Sequence, residues 1–373
     1  MNLRNLVPAL ALVVVAAAPA MAADAVPAVS FAGWADNILT FHDDDTKDDP
    51  TTDKNDSTAS IRFSSVASLK ANWKVTDKLS AKINLWFNAD TAEVDMREAY
   101  FAWSINDTVT WSMGKYIDHI GWISAEPTGL YTINNSLIGY LQTYGNDVLG
   151  TSLAIAPKDS PISGSFHITN GYYTASDATN GATSPNRENT DLGFGLDLIY
   201  ELPDKKGNIN LEFAYDMHSD TNTAGNVNNL GGDVFLAGLN ATITPVKPLL
   251  IGAEIQYMTV GKGETPAGAD VGDDIKRTQG LLLVNYAIEG ASIPMSVSGS
   301  IQYITIDYGA ATPNDEKRLG LQAALLTNPL GSSNFGLNFE IGYFDETDRP
   351  LSATVTVPDV KGINIAVEGL VTF

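Results

Sequence analysis

The segment Ile209-Asn210-Leu211-Glu212-Phe213-Ala214-Tyr215-Asp216-Met217 carries an apolar side chain at every odd position and, Ala214 apart, a polar one between. Successive side chains of an extended chain point to opposite faces, so this stretch is a ribbon with one greasy side and one wet side. The same phase recurs in Leu192-Phe194-Leu196-Leu198-Tyr200, Leu249-Ile251-Ala253-Ile255-Tyr257, Met295-Val297-Gly299-Ile301-Tyr303 and Phe335-Leu337-Phe339-Ile341-Tyr343. Strands of a soluble sandwich alternate too, but they are mostly about five or six residues long. These segments run to about ten or twelve, which suits the ~9 to 11 residues that cross a bilayer at a tilt.

Extending the pattern along the chain predicts sixteen strands, at 29–40, 60–75, 79–89, 93–104, 108–117, 149–157, 161–170, 190–202, 208–218, 232–244, 249–260, 276–288, 293–306, 316–327, 334–344 and 362–373. Short turns such as Thr76-Asp77-Lys78 and Asn106-Asp107 alternate with links that are mostly long and polar. An even strand count with tight turns on one side is the rhythm of a closed antiparallel barrel, and closure removes unpaired strand edges from the hydrocarbon. The predicted fold is therefore an all-β transmembrane barrel of about sixteen strands. Aromatic placement agrees: Tyr215, Tyr257, Tyr303 and Tyr343 fall at outer strand ends, and Trp73, Tyr200, Tyr286 and Phe373 at the opposite ends. Amphipathic rings favour the headgroup level.

Composition sets the outer limits. The chain has 373 residues, 44 acidic and 22 basic side chains, a formal charge of -22 and no cysteine. That excludes a disulfide scaffold, a thiolate metal site and a basic nucleic-acid binder. Residues 1–22 carry Arg4, an apolar run from Leu6 to Ala18 and the small-residue pattern Ala20-Met21-Ala22, which predicts a cleaved signal peptide and a barrel domain over 23–373. An exported protein follows, destined for the outer membrane of a Gram-negative cell.

The final strand alternates Ile363, Ile365, Val367, Gly369 and Val371 with more polar neighbours and stops on Phe373. A terminal aromatic on an amphipathic strand resembles the signal read by the barrel-assembly machinery. The segment Val94-Asp95-Met96-Arg97-Glu98-Ala99-Tyr100, with Trp111-Ser112-Met113-Gly114-Lys115-Tyr116-Ile117-Asp118-His119-Ile120-Gly121, resembles the OmpL-like β-barrel porin family. The resemblance implies an outer-membrane porin over most of the chain after residue 22. A homotrimer is expected only by analogy with other sixteen-stranded porins.

If the apolar phase meets lipid, the other phase lines a lumen. Arg62, Lys70, Lys74, Lys82 and Arg97 then line one wall, and Asp191, Asp197, Glu201, Glu212, Asp216 and Glu254 line the opposite one. Separated signs would set up a transverse field favouring small hydrophilic cargo. Glu340 and Glu368 blur this segregation, and Arg97 inward forces Glu98 outward unless a bulge intervenes. The link from Asp118 to Val148 interleaves Ile120, Trp122, Ile123, Leu130, Tyr131, Ile133, Leu137 and Ile138 with polar residues. It is too apolar for an exposed loop and longer than structureless loops usually are. It is expected to fold into the lumen after strand 5 and narrow it, with Asp118, Glu126 and Asp147 as selectivity groups.

The loop His42 to Ser57 holds Asp43, Asp44, Asp45, Asp48, Asp49, Asp53 and Asp56. Over residues 43–56 it offers loose attraction for Ca2+ or Mg2+, and contact with lipopolysaccharide through such ions, but lacks the spacing of a calcium cage. No other cofactor and no metal centre is expected. His42, His119, His167 and His218 are dispersed, and Ser165 with His167 lacks a third orienting group, so no enzymatic activity is expected. The functional expectation is passive diffusion of small solutes and ions with mild cation preference. The alternatives are a non-conducting adhesin or anchor, and a sugar channel using Trp86, Phe101, Trp103 and Trp122 as stacking surfaces.

Overall fold

The computed structural model describes residues 28–46, 56–124, 126–139, 147–172, 192–217, 233–261, 263–264, 270–271, 274–309, 315–331, 334–347, 350–352, 355–356 and 359–373. Sixteen strands pair in chain order, each antiparallel to the next, and the last pairs with the first to close a barrel. They are β1 (Ala28–Thr46), β2 (Asp56–Lys74), β3 (Leu79–Asn88), β4 (Glu93–Ser104), β5 (Val109–Ile117), β6 (Asp147–Ile155), β7 (Ile162–Thr169) and β8 (Leu192–Glu201). The second half comprises β9 (Gly207–Met217), β10 (Val234–Val246), β11 (Leu249–Val260), β12 (Ile275–Ala287), β13 (Met295–Asp307), β14 (Glu316–Thr327), β15 (Phe335–Thr347) and β16 (Val360–Thr372). Two small ribbons, Gly263–Glu264 with Asp270–Val271 and Pro350–Ser352 with Val355–Thr356, lie in the connections after β11 and β15. Closure extends to the terminal residue: Gly33 N donates to Phe373 O at 2.9 Å and Phe373 N to Gly33 O at 3.0 Å.

The two faces of the sheet are inverted relative to a soluble protein. Ile255 is 55% exposed on the outside while Gln256 is 1% exposed inside; Ile341 and Glu340 contrast in the same way at 55% and 3%. Such a continuous apolar exterior belongs against lipid, because in water each Å² of it costs about 25 cal/mol. Tyr215, Tyr257 and Tyr303 stand exposed toward one rim, Tyr200, Tyr286 and Phe373 toward the other. Trp103 and Trp111 join the second ring, with centroids 6.3 Å apart, and Phe101 packs on Trp111 at 5.1 Å. This corrects the expectation that Phe101 and Trp103 offer stacking surfaces inside: Tyr100 and Ala102 take the inward phase of β4, so their neighbours face out.

The tight turns are made by side chains that substitute for backbone partners. Thr76 Oγ1 accepts from the N–H groups of Lys78 and Leu79 at 3.1 and 3.0 Å, and Asn106 Oδ1 from those of Thr108 and Val109 at 2.8 and 2.9 Å. Strands β1 and β2 run past the predicted limits of 29–40 and 60–75, with Asp43 still paired to Ala59 and Asp45 to Ser57. The backbone ladder needs no apolar phase once it leaves the bilayer. Residues 1–22, Asp48, Asp49, Asp53, Asp191 and His218 lie outside the described residues.

Within the barrel, part of the lumen is a true core. Inward-facing Leu236, Met258, Ile275 and Ile304 pack with Ile120, Ile138 and Tyr172, which come from the connections after β5 and β7.

Candidate functional site: a loop fixed across the lumen

The described residues between β5 and β6, 118–124 and 126–139, turn inward and are bound to the barrel wall at many points. Gly121 N donates to Glu212 of β9 at 2.8 Å and Trp122 N to Glu254 of β11 at 3.0 Å. The Trp122 indole N–H donates to Thr242 of β10 at 2.6 Å, and its ring lies where a Cβ on Gly252 would come within 2.2 Å. The segment then crosses the lumen, because Glu126 ion-pairs with Lys70 of β2 and accepts from Asn84 of β3 at 3.2 Å. Strands β2 and β10 stand eight places apart in a ring of sixteen, so these contacts are diametrically opposed. A 3₁₀ turn at Pro127–Gly129 sends the chain back.

The return leg is strapped to β12–β15. Glu340 accepts from the N–H groups of Ile133 and Asn134 at 2.6 and 3.2 Å and from the Asn134 amide at 2.7 Å. The carbonyls of Asn134, Asn135, Ile138 and Gly139 accept from Gln322 (2.7 Å), Gln302 (2.8 Å), Arg318 (3.1 Å) and Arg277 (2.7 Å). Leu137 occupies the space a side chain on Gly342 would need. A buried loop has backbone donors and acceptors to satisfy, and here carboxylates meet its N–H groups while guanidinium and amide groups meet its carbonyls.

The predicted site residues divide by this logic. On the near wall the cations pair with side chains: Lys82 with Glu98 at 2.6 Å, Arg97 with Asp147 at 2.5 Å, and Lys115 with Asp147 at 3.0 Å. The Arg97 guanidinium also lies 4.3 Å above the ring of Trp86, which meets Trp34 edge-on at 5.2 Å. Arg97 and Glu98 both face inward because the ladder shifts between Asn84 and Leu85, leaving Arg97 as the extra residue of a bulge. Lys74 sits at a turn, 2.7 Å from Asp77, whose carboxyl the lysine holds below its usual range through a hydrogen bond and charge. Arg62 lies toward the other rim, 2.9 Å from Asp90, with its side chain 73% exposed.

Among the predicted acids, Glu212 and Glu254 anchor the loop as described, and Asp216 accepts from Tyr172 N at 2.6 Å. Asp197 is buried in the wall and Glu201 is exposed near the turn after β8. Asp118 accepts from Ile120 N at 3.3 Å and shapes the start of the loop. Asp147 is the first residue of β6, held by Arg97 and Lys115.

The predicted separation of signs is only partial. Glu98 is buried on β4, within the wall expected to be basic; Asp36 on β1 and Arg277 and Arg318 on β12 and β14 face inward on strands outside both predicted walls. The pairs Lys276-Arg277 and Lys317-Arg318 each put one cation on either face; the phase of Leu282 and Val284 already assigns the first arginine to the lumen.

Two further features lie at the root of the loop. The ring of His119 stacks on that of His167 at 4.2 Å, and burial, helped by the His167 charge, pushes the His119 imidazole down to about 3. His167 Nε2 is 2.7 Å from Ser165 Oγ, and its Nδ1 faces the Tyr116 hydroxyl at 3.4 Å. The position an orienting carboxylate would take in a hydrolytic triad is thus filled by a phenol.

No family model matches the chain, and no curated protein matches it in sequence. Solved structures do resemble it. The outer membrane channel DcaP of Acinetobacter baumannii aligns over 95% of this chain and 99% of its own, with 12% identity and a TM-score of 0.63. An anion-selective porin from Comamonas acidovorans aligns over 93% and 100%, with 13% identity and a TM-score of 0.60. OmpT of Vibrio cholerae in a trimer form aligns over 94% and 100%, with 14% identity and a TM-score of 0.56. The chain has the sixteen-stranded fold of the outer-membrane porins; the finer OmpL-like assignment rests on the sequence resemblance alone.

Proposed function

We propose that this chain is an outer-membrane channel for passive diffusion of small hydrophilic solutes and ions, with a mild preference for cations. The observation that carries the reading is the strapped loop. It divides a polar lumen at one height and leaves cavities of about 400 and 340 Å³ on the side of the short turns, one under residues 127–132 and one beside Lys74, Lys82 and Tyr100. The chain carries a formal charge of -22, and a negative potential concentrates cations at a mouth. Pairing of Lys70, Lys82 and Arg97 with acids keeps the bias small. The Comamonas acidovorans neighbour is anion-selective, so selectivity does not follow from this fold and belongs to these side chains.

Planar-bilayer recordings test the reading. Discrete conductance steps with a reversal potential of cation-selective sign support it, and absence of conductance rejects it. A second reading, a non-conducting barrel serving as adhesin or anchor, draws on the apolar core that fills part of the lumen. Export by cleavage before Ala23, assembly through Phe373, trimerisation and loose Ca2+ or Mg2+ at residues 43–56, with lipopolysaccharide beyond, complete the proposal. We assign no enzymatic activity.

A further inference from the structure

Between the return leg of the loop and the wall of β10–β13 lies a cavity of about 230 Å³. The lumen around it is rich in charge, yet among the described residues its lining contains no carboxylate, ammonium or guanidinium group. One side is aromatic: the rings of Trp122 and Tyr131 lie parallel, 7° apart in orientation with centroids at 6.0 Å. The wall side sets the neutral polar groups of Thr242, Ser300 and Gln302 among Leu281 and Leu283. Gln302 is 1% exposed; its Nε2 is spent on Asn135 O at 2.8 Å, but among the described residues its Oε1 has no hydrogen-bond partner. Thr242 Oγ1 accepts the Trp122 indole proton and retains its own hydrogen to donate.

These features select a ligand class. An ion entering here would lose its hydration without meeting an opposite charge. A purely apolar molecule would leave the Gln302 carbonyl oxygen orphaned, since a buried acceptor needs a donor. A neutral ring with hydroxyls at its edge and C–H groups on its face satisfies both sides: the face lies on the indole, one hydroxyl donates to Gln302 Oε1, and another accepts from Thr242. The volume is below the ~300 Å³ at which pockets for drug-sized ligands begin, which favours one ring over a chain. Residues 130–132 line both this cavity and the 400 Å³ one toward the short turns, so the site adjoins the aqueous route. We propose that the cavity is a binding step for neutral monosaccharides, a class of solute within the channel function on which this inference rests.

The test uses the full-length barrel in detergent and in bilayers, with D-glucose as probe and gluconate and glucosamine as charged counterparts. Calorimetric titration is expected to show saturable, millimolar glucose binding. Gln302→Leu should weaken it about tenfold through the lost hydrogen bond. Ser300→Leu, which fills the cavity while leaving the Gln302 bond to the loop in place, should abolish it; circular dichroism checks that both variants keep the strand content. The absence of saturable heat, equal affinity for gluconate, or unchanged binding in Ser300→Leu would overturn the proposal. Binding without conductance would reject the channel reading and leave the site standing, whereas conductance without binding would do the reverse.

Discussion

The two walls of the lumen use the same charged residue types for different work. On β2–β5 the cations Lys70, Lys82, Arg97 and Lys115 face carboxylate side chains. On β9–β15 the acids Glu212, Glu254 and Glu340 and the arginines Arg277 and Arg318 face backbone groups of the crossing loop. The difference teaches that a charge on a pore wall is not by itself a selectivity filter. Where the loop's backbone lies against the wall, the charge is consumed in replacing water around the peptide groups; where the loop meets the wall through a side chain, as Glu126 meets Lys70, charge is answered by charge.

Breaking an anchor should have the largest effect. Glu340→Ala removes the acceptor of three bonds from the loop and of a fourth from Gln322, and leaves the buried Ile133 N–H without a partner. The expected cost is roughly 3 kcal/mol, read as a lower thermal midpoint, because an unsatisfied buried donor forfeits its hydration as well as its bond. Conductance should rise as the return leg lifts from β15. If Glu340→Ala leaves both midpoint and conductance unchanged, the anchoring role on this wall is wrong.

The opposite wall should respond in selectivity more than in stability. Lys70→Glu places a second carboxylate beside Glu126 and removes the cation that neutralises it. The reversal potential should shift toward stronger cation preference, and Lys70→Glu with Glu126→Lys should restore most of it. A shift in the anion direction would show that this pair does not set the local field.

How far these roles were legible in the sequence depends on what each requires. The sixteen strands follow from period-two alternation together with strand length and the rhythm of the turns, since lipid on one side and water on the other hold that phase along most of each strand. The inward course of the loop was legible from Trp122, Ile133 and Ile138, too apolar for the surface. What was not legible is the division between anchor and field: Glu212 and Glu126 look alike until it is known which meets a peptide N–H and which an ammonium. The bulge at Arg97 was half legible: Arg97 and Glu98 cannot share one face of a regular strand, but alternation does not say whether one of them turns outward or the ladder drops a residue.

At the root of the loop, pH separates the walls a third way. His119 stacks on His167 with Tyr116, Asp118 and Tyr172 nearby, and its imidazole is depressed to about 3 from the ordinary 6.5, chiefly by burial. A depressed folded-state value means that the neutral ring contributes stability in full above about 6.5, and that this is lost as pH falls toward 3. The thermal midpoint should decline over that window, and His119→Gln should flatten the decline while leaving the midpoint at pH 8 nearly unchanged. An equal decline in the variant would assign the pH response to other groups.

The smallest effect belongs to Arg62 and Asp90, the pair that resembles the near-wall contacts in distance but not in setting. Its nitrogen–oxygen distance is 2.9 Å, comparable with the 3.0 Å between Lys115 and Asp147, yet the Arg62 side chain is 73% exposed. Water at the rim screens the attraction, and fixing a long side chain costs entropy, so an exposed pair is worth at most about 0.5 kcal/mol. Arg62→Ala should therefore leave the thermal midpoint within error and change the reversal potential less than Lys70→Ala does. A loss comparable to that of an anchor would mean that the rim is drier than its exposure implies, and would extend the logic of the far wall to the mouth of the barrel.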